Sequence, residues 1–143
     1  MMLTRTEILQ KLNEGKNCAQ ITFGYFADQL GYDVEETDAL AAVFGGGMRR
    51  GNVCGTCTGA YMALGSYAKE HDPACELAGK FDQVFIEKNG SLLCKELTGY
   101  DFSIPGQHEA AVEAGVVPER CPGFIATAIE LVDKLIAEQE AKG

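Results

Sequence analysis

The sequence predicts an all-α fold, a compact bundle of about five helices that forms a single domain over residues 1–143. Apolar residues recur at spacings of three and four in several stretches, which is the pattern of amphipathic helices. No stretch shows the alternation of apolar and polar residues that is typical of a half-buried strand. The chain is 46% hydrophobic, and its 143 residues suffice for one domain with its own core.

Helix-start and helix-stop residues divide the first part of the chain into three predicted helices. The first begins at Thr4 or Thr6 and ends near residue 13. The second is capped by Asn17, whose side chain can accept a hydrogen bond from a free backbone N–H, and stops near Gly31. A third, short helix follows the acidic segment 35–38. Its expected apolar face consists of Leu40, Val43 and Phe44.

The second part of the chain predicts two long helices, one short helix and a final amphipathic helix. The long helices cover residues 52–67 and 72–88, and the short one covers residues 91–98. Residues 100–117 are expected to be a long, mostly irregular loop with a helical turn at Glu109 to Ala114. Cys121 and the proline after it are expected to open the last helix, which carries the clearest apolar stripe of the chain.

Charge and composition exclude several classes of function. The formal net charge is −9, which argues against binding to nucleic acid or to an anionic membrane surface. The N-terminal residues lack the apolar run of a secretion signal, and no stretch is long enough to span a membrane. We therefore expect a cytoplasmic protein, in which six cysteines indicate metal ligands or redox groups before structural disulfides.

The chain is organised around residues 45–65, GGGMRRGNVCGTCTGAYMALG. This stretch brings two arginines close to Cys54 and Cys57, and it continues into an apolar helix. A cysteine at a helix start and beside cations is stabilised as its thiolate. Gly55 and Gly59 lie four apart on another face of the helix, which would permit a close helix neighbour.

Four cysteines share two properties: each lies in the first turn of a predicted helix and each has a basic neighbour in sequence. If these helix starts meet in space, they form an electropositive pocket. Such a pocket suits nucleophilic thiolates, a bound anion or an anionic metal–sulfur centre. The alternative is that each cysteine is a small buried hydrophobic residue, and we expect this for Cys75. The four are Cys18 with Lys16, Cys54 with Arg49 and Arg50, Cys94 with Lys95, and Cys121 with Arg120.

The Cys54–Cys57 pair is compatible with more than one chemistry. A thioredoxin-like dithiol would need a βαβ context, and no strand is predicted. Covalent haem attachment would need histidine where Thr58 stands. Zinc would need a second close pair of ligands, which the chain lacks. Cysteines that are distant in sequence can still ligate an iron–sulfur cluster.

Together these motifs resemble the C_GCAxxG_C_C family of small proteins described as redox-active. The resemblance covers about residues 3–137 and rests on Asn17–Gln20, on GGGMRRG, on Cys54–Ala60 and on the isolated cysteines that follow. It implies that the family's four shared cysteines correspond to Cys18, Cys54, Cys94 and Cys121. Thr56 replaces the usual alanine of the central motif, and Cys57 and Cys75 are additions to the family pattern.

The sequence therefore leaves three hypotheses for function. The first is a thiol-based redox protein, with thiol–disulfide oxidoreductase activity toward a partner protein or a small thiol. The second is an electron-transfer module that binds a metal ion or an iron–sulfur cluster, and the third is a non-catalytic interaction protein, for which the apolar content allows a homodimer. In the first hypothesis Cys54 is the nucleophile, Cys57, Cys18, Cys94 or Cys121 resolves the mixed disulfide, and Arg49, Arg50, Arg120, Gly55 and Gly59 support the site. In the second, the ligands are Cys18, Cys54, Cys94 and Cys121.

Overall fold

The computed structural model describes residues 3–143, and it confirms the all-α class. The number of helical elements is ten within these residues, so the prediction of about five was wrong. The second predicted helix is divided after Tyr25, the helical turn expected near Glu109 is a full helix, and the last helix begins before residue 117. The elements are α1 Arg5–Asn13, α2 Cys18–Tyr25, α3 Ala27–Leu30, α4 Val34–Leu40, a π-helical turn Gly47–Gly51, α5 Gly55–Ala68, α6 His71–Asn89, α7 Cys94–Thr98, α8 Gln107–Glu113 and α9 Val116–Lys142.

The first two helices begin with reciprocal caps. The Thr4 side chain accepts a hydrogen bond from the Glu7 N–H, and the Glu7 carboxylate accepts one from the Thr4 N–H. Asn17 and Gln20 make the same pair of bonds at the start of α2, at 2.8 and 2.9 Å. Each pair satisfies two backbone donors that a helix start leaves free, so both starts agree with the sequence.

Helix α5 is the central element and packs against α2, α6 and α9. Gly55 and Gly59 bring α5 against α2, because a Cβ at either position would collide with backbone atoms. It would lie 2.7 Å from the Phe44 carbonyl oxygen at Gly55, and 2.8 Å from the Ala19 carbonyl oxygen at Gly59. The predicted close approach of a helix to these two glycines is confirmed.

The hydrophobic core fills the space between α5, α6 and α9. Phe81 and Phe85 of α6 are fully buried, and their rings stack with centroids 5.5 Å apart. The apolar stripe of α9 is buried against them, as its helical spacing predicted. The buried residues of this stripe are Ile125, Ala128, Ile129, Leu131, Val132, Leu135 and Ile136.

The expected apolar face of α4 was wrong. Leu40 and Val43 have exposed fractions of 56% and 62%, whereas Thr37 and Ala41 are fully buried. The helix ends at Leu40, so the following residues do not continue its helical spacing. The side chains that face the core are therefore smaller than the sequence pattern suggested.

The start of the last helix also differs from the prediction. Gly115, in the left-handed conformation, precedes α9, which begins at Val116. Cys121 is consequently the sixth residue of the helix and lies outside its first turn, and Pro122 lies inside the helix. Although α9 has 27 residues, no helix within residues 3–143 is long and apolar enough to cross a membrane.

Candidate thiol site

Four cysteines from separate elements line one cavity, which we call the cysteine cavity. Its volume is about 770 Å³, and residues from α1, α2, α7, α8, α9 and the turn around Gly46 form its wall. The exposed fractions of Cys54, Cys94 and Cys121 are only 5, 5 and 7%, and all six cysteines of the chain are free thiols. The structure thus brings the predicted sulfurs together inside the molecule. The four lining cysteines are Cys18, Cys54, Cys94 and Cys121.

An isolated antiparallel β-bridge between Val53 and Leu93 places the segments of Cys54 and Cys94 side by side. The Cys54 N–H donates to the Leu92 carbonyl at 2.7 Å, and the Cys94 N–H donates to the Asn52 carbonyl at 2.8 Å. These two hydrogen bonds connect the start of α5 to the start of α7. The sequence did not predict this contact, because a single bridged pair of residues leaves no periodic pattern of apolar residues.

Asn17 and Gly59 position Cys18. Besides capping α2, the Asn17 side-chain amide donates to the Ala42 carbonyl at 3.0 Å, which connects the start of α2 to the segment after α4. A Cβ at Gly45 would lie 2.4 Å from the Asn17 Cβ, so only glycine allows this approach. Because Gly59 lets α2 approach α5, Cys18 lies beside Cys54.

Cys121 reaches the cavity from α9, and an arginine joins that helix to α7. The Arg120 guanidinium donates to the Leu97 carbonyl at 3.0 Å, in the last turn of the helix that Cys94 begins. Arg120 was predicted to make the pocket electropositive. Its hydrogen bond instead gives it a structural contact between the two elements that carry Cys94 and Cys121.

The sulfur of Cys54 is where negative charge is most stable. The pKa of Cys54 is lowered well below its ordinary value, first by a hydrogen bond from Cys18 and then by one from Cys57, against the opposing effect of burial. Helix α5 has no side-chain oxygen cap, and the Thr56 N–H at its start also stabilises the Cys54 thiolate. Cys54 therefore loses its proton more readily than Cys18, Cys57 or Cys94.

The neighbouring thiols stay protonated. The neighbouring sulfurs of Cys121 and Cys54 raise the pKa of Cys18, and the neighbouring sulfur of Cys54 raises that of Cys57. Burial and the neighbouring Cys54 raise the pKa of Cys94 to about 12. The pKa shifts thus relate four neighbouring sulfurs in the order Cys121, Cys18, Cys54, Cys57, and we call these four residues the thiol chain.

Cys57 closes the thiol chain on the core side. It is fully buried and does not line the cavity, in contrast to the other three members. Its neighbours there include Asp82, whose carboxylate accepts a hydrogen bond from the Tyr61 hydroxyl and whose negative charge helps to keep Cys57 protonated. Cys57 can therefore donate its proton to Cys54 without being accessible from the cavity.

The predicted role of the arginines in activating Cys54 needs correction. The low pKa of Cys54 comes mainly from the thiols and Thr56, while Arg49 and Arg50 are exposed. Arg49 lines the cavity and Arg50 does not. Lys16 also lines the cavity, but its ammonium is paired with the Asp38 carboxylate at 3.1 Å.

A left-handed turn forms the wall of the cavity before Cys54. Gly46, Gly47, Met48 and Arg49 have φ values of 62°, 63°, 59° and 63°, so four consecutive residues are left-handed. This conformation costs roughly 1–2 kcal/mol for each residue that is not glycine, and such strain concentrates at functional sites. The two glycines of this turn supply part of the conformation at low cost, which explains the glycine run in the sequence.

Within residues 3–143, no group of three or more His, Cys, Asp or Glu side chains is arranged to hold a metal ion. The geometry therefore gives no support to the alternative in which Cys18, Cys54, Cys94 and Cys121 are ligands.

Cys75 was expected to be buried, but it is exposed at the start of α6, with its sulfur 3.6 Å from His71 Nε2.

Comparison with known proteins identifies the family. No protein with a curated description and no solved structure matches the chain significantly. A family described as "Putative redox-active protein (C_GCAxxG_C_C)" matches residues 16–135, which include every cysteine of the thiol chain. The match covers most of the chain, and this protein therefore belongs to the C_GCAxxG_C_C family.

Proposed function

We propose that this protein is a thiol–disulfide redox protein in which the Cys54 thiolate is the nucleophile. The observation that carries the proposal is the position of Cys54. Its sulfur lines the cysteine cavity, and Cys18 and Cys57 beside it lower its pKa well below the ordinary value. A thiolate beside a second thiol is what disulfide exchange requires.

The reaction begins with attack of the Cys54 thiolate on one sulfur of a substrate disulfide. A mixed disulfide forms at Cys54, and the other substrate sulfur leaves as a thiolate. Cys18 or Cys57 then attacks the Cys54 sulfur, and an internal disulfide replaces the mixed disulfide. The proton of the attacking thiol passes to the departing substrate sulfur, so two electrons move from the protein to the substrate. Two molecules of a small thiol then reduce the internal disulfide, leave as their own disulfide, and restore the two protein thiols.

The test uses the neutral reagent bis(2-hydroxyethyl) disulfide and reduced protein. Because the exposed Cys75 would react independently, the assay uses a Cys75→Ser variant. Mass spectrometry should first detect one adduct at Cys54 and then loss of that adduct with formation of an internal disulfide. A protein in which Cys54 stays reduced while the reagent is consumed elsewhere would contradict the proposal.

The pH dependence of Cys54 alkylation gives a second expected result. With iodoacetamide, the rate should be half-maximal at a pH below the ordinary thiol value of about 8.5, and nearly constant above the pKa of Cys54. Cys57→Ala removes a hydrogen-bond donor to the thiolate, so the pKa of Cys54 should rise and the rate at pH 7 should fall. Rates for single cysteines are read by peptide mass spectrometry. An unchanged profile in Cys57→Ala would show that Cys57 does not stabilise the thiolate.

A further inference from the structure

We propose that the cysteine cavity selects small disulfides or thiols that carry a carboxylate, and that Arg49 binds this group. The inference rests on the proposed function, because the bound molecule is the one that exchanges with Cys54. Three observations that the proposed function does not use support it, namely the size of the cavity, the burial of the sulfurs and the charges on the cavity wall.

The depth of the sulfurs limits the size of the reactant. Cys54, Cys94 and Cys121 have at most 7% of their surface exposed, so the surface of a folded protein cannot bring a disulfide against them. A cavity of about 770 Å³ lies within the range that proteins use for small molecules. Apolar side chains such as Leu12, Ile104 and Phe124 form part of the wall and would contact the carbon atoms of such a molecule.

The charges on the wall favour an anion at one place. Among the described residues that line the cavity, the cations are Lys16 and Arg49, and the carboxylate is Glu109. Lys16 is neutralised by Asp38, whereas the Arg49 side chain makes no ion pair or hydrogen bond within residues 3–143. Guanidinium binds a carboxylate with two parallel hydrogen bonds. In a protein of net charge −9, this unpaired cation would attract an anion to the cavity rather than to the rest of the surface.

The backbone around Arg49 supports a ligand-binding role. The left-handed turn from Gly46 to Arg49 is the segment that places this side chain on the cavity wall. The next residue, Arg50, leaves the left-handed region with φ −140° and does not line the cavity. Two adjacent arginines thus occupy different environments, which provides a matched control.

Alkylation with two reagents of similar size tests the anion site without any redox step. We expect the ratio of the rates of Cys54 with iodoacetate and with neutral iodoacetamide to fall about three- to tenfold in Arg49→Gln. Glutamine keeps the same backbone strain, so the turn is not relieved by the substitution. Arg49→Lys should recover part of the ratio, Arg50→Gln should leave it unchanged, and high salt should reduce it in the parent protein. An equal ratio in Arg49→Gln and the parent would overturn the inference.

Three disulfides of different charge connect the anion site to the proposed function. We expect the anionic 3,3′-dithiodipropionate to react fastest with Cys54, the neutral bis(2-hydroxyethyl) disulfide more slowly and the cationic cystamine most slowly. This order should be lost in Arg49→Gln. Equal rates with all three would refute the selection while leaving the exchange reaction intact. If none of the three reacts but the alkylation ratio depends on Arg49, the anion site stands and the exchange function fails.

Discussion

Replacing Cys54 by serine should lower the rate of mixed-disulfide formation with bis(2-hydroxyethyl) disulfide by roughly a thousandfold or more, as expected for loss of a nucleophile. A serine hydroxyl does not ionise near neutral pH, and it cannot displace a thiolate from a disulfide. Two other thiols that line the cavity are poorer nucleophiles, because the neighbouring Cys121 raises the pKa of Cys18 and burial raises that of Cys94. The rate is measured at pH 7 by quenching the reaction at successive times and determining the adduct by mass spectrometry.

The exposed Cys75 provides the matched control for this prediction. Cys75→Ser removes an exposed thiol outside the cavity and should leave the rate at Cys54 unchanged. Because a buried serine can destabilise the fold, Cys54→Ala serves as a second variant, and thermal unfolding shows whether each variant is folded. A folded Cys54→Ala protein that still forms an adduct in the cavity at the original rate would rule out Cys54 as the nucleophile.

Replacing Gly59 by alanine should reduce the free energy of unfolding by about 1–3 kcal/mol, the usual cost of overpacking. The new Cβ would lie 2.8 Å from the Ala19 carbonyl oxygen and 3.0 Å from the Thr22 Cβ, so α2 must move away from α5. This movement carries Cys18 away from Cys54 and removes a hydrogen bond to the thiolate. Alkylation of Cys54 should then show a raised pKa together with the lower stability, which denaturant unfolding measures.

Gly65 provides the matched control in the same helix. A Cβ at Gly65 would have no atom within 4 Å, so alanine there should stabilise α5 by up to about 1 kcal/mol through its higher helix propensity. Gly65→Ala should leave the pKa of Cys54 unchanged. Equal effects of the two substitutions on stability would contradict the close packing of α2 on α5 at Gly59.

Local sequence signals predicted much of the fold. The caps Thr4 and Asn17 were recognisable because their side chains bond to the residue three positions later, which is a short-range pattern. The spacing of Gly55 and Gly59 predicted the close helix neighbour for a similar reason. The meeting of Cys18, Cys54, Cys94 and Cys121 was expected from their shared position near helix starts, although Cys121 reaches the cavity from the second turn of α9.

Features that depend on tertiary contacts could not be predicted. The left-handed conformation of Met48 and Arg49 carries no sequence signal, since residues other than glycine rarely adopt it. Cys57 was recognisable from its C-x-x-C spacing, but its position behind Cys54 depends on the packing of α5 against α6. The pairing of Lys16 with Asp38, which leaves Arg49 as the unpaired cation of the cavity wall, joins elements that are separate in sequence.

Mapping the disulfides that form on mild oxidation tests the central claim most directly. Reduced protein is treated with a small excess of a neutral oxidant at low protein concentration, and the linked peptides are identified by mass spectrometry. We predict that the first disulfide joins Cys54 to Cys18 or to Cys57, and that any later disulfide involves Cys121 while Cys75 stays outside these bonds. If Cys54 remains a free thiol when the other cavity cysteines are oxidised, Cys54 is not the reactive thiol of this protein.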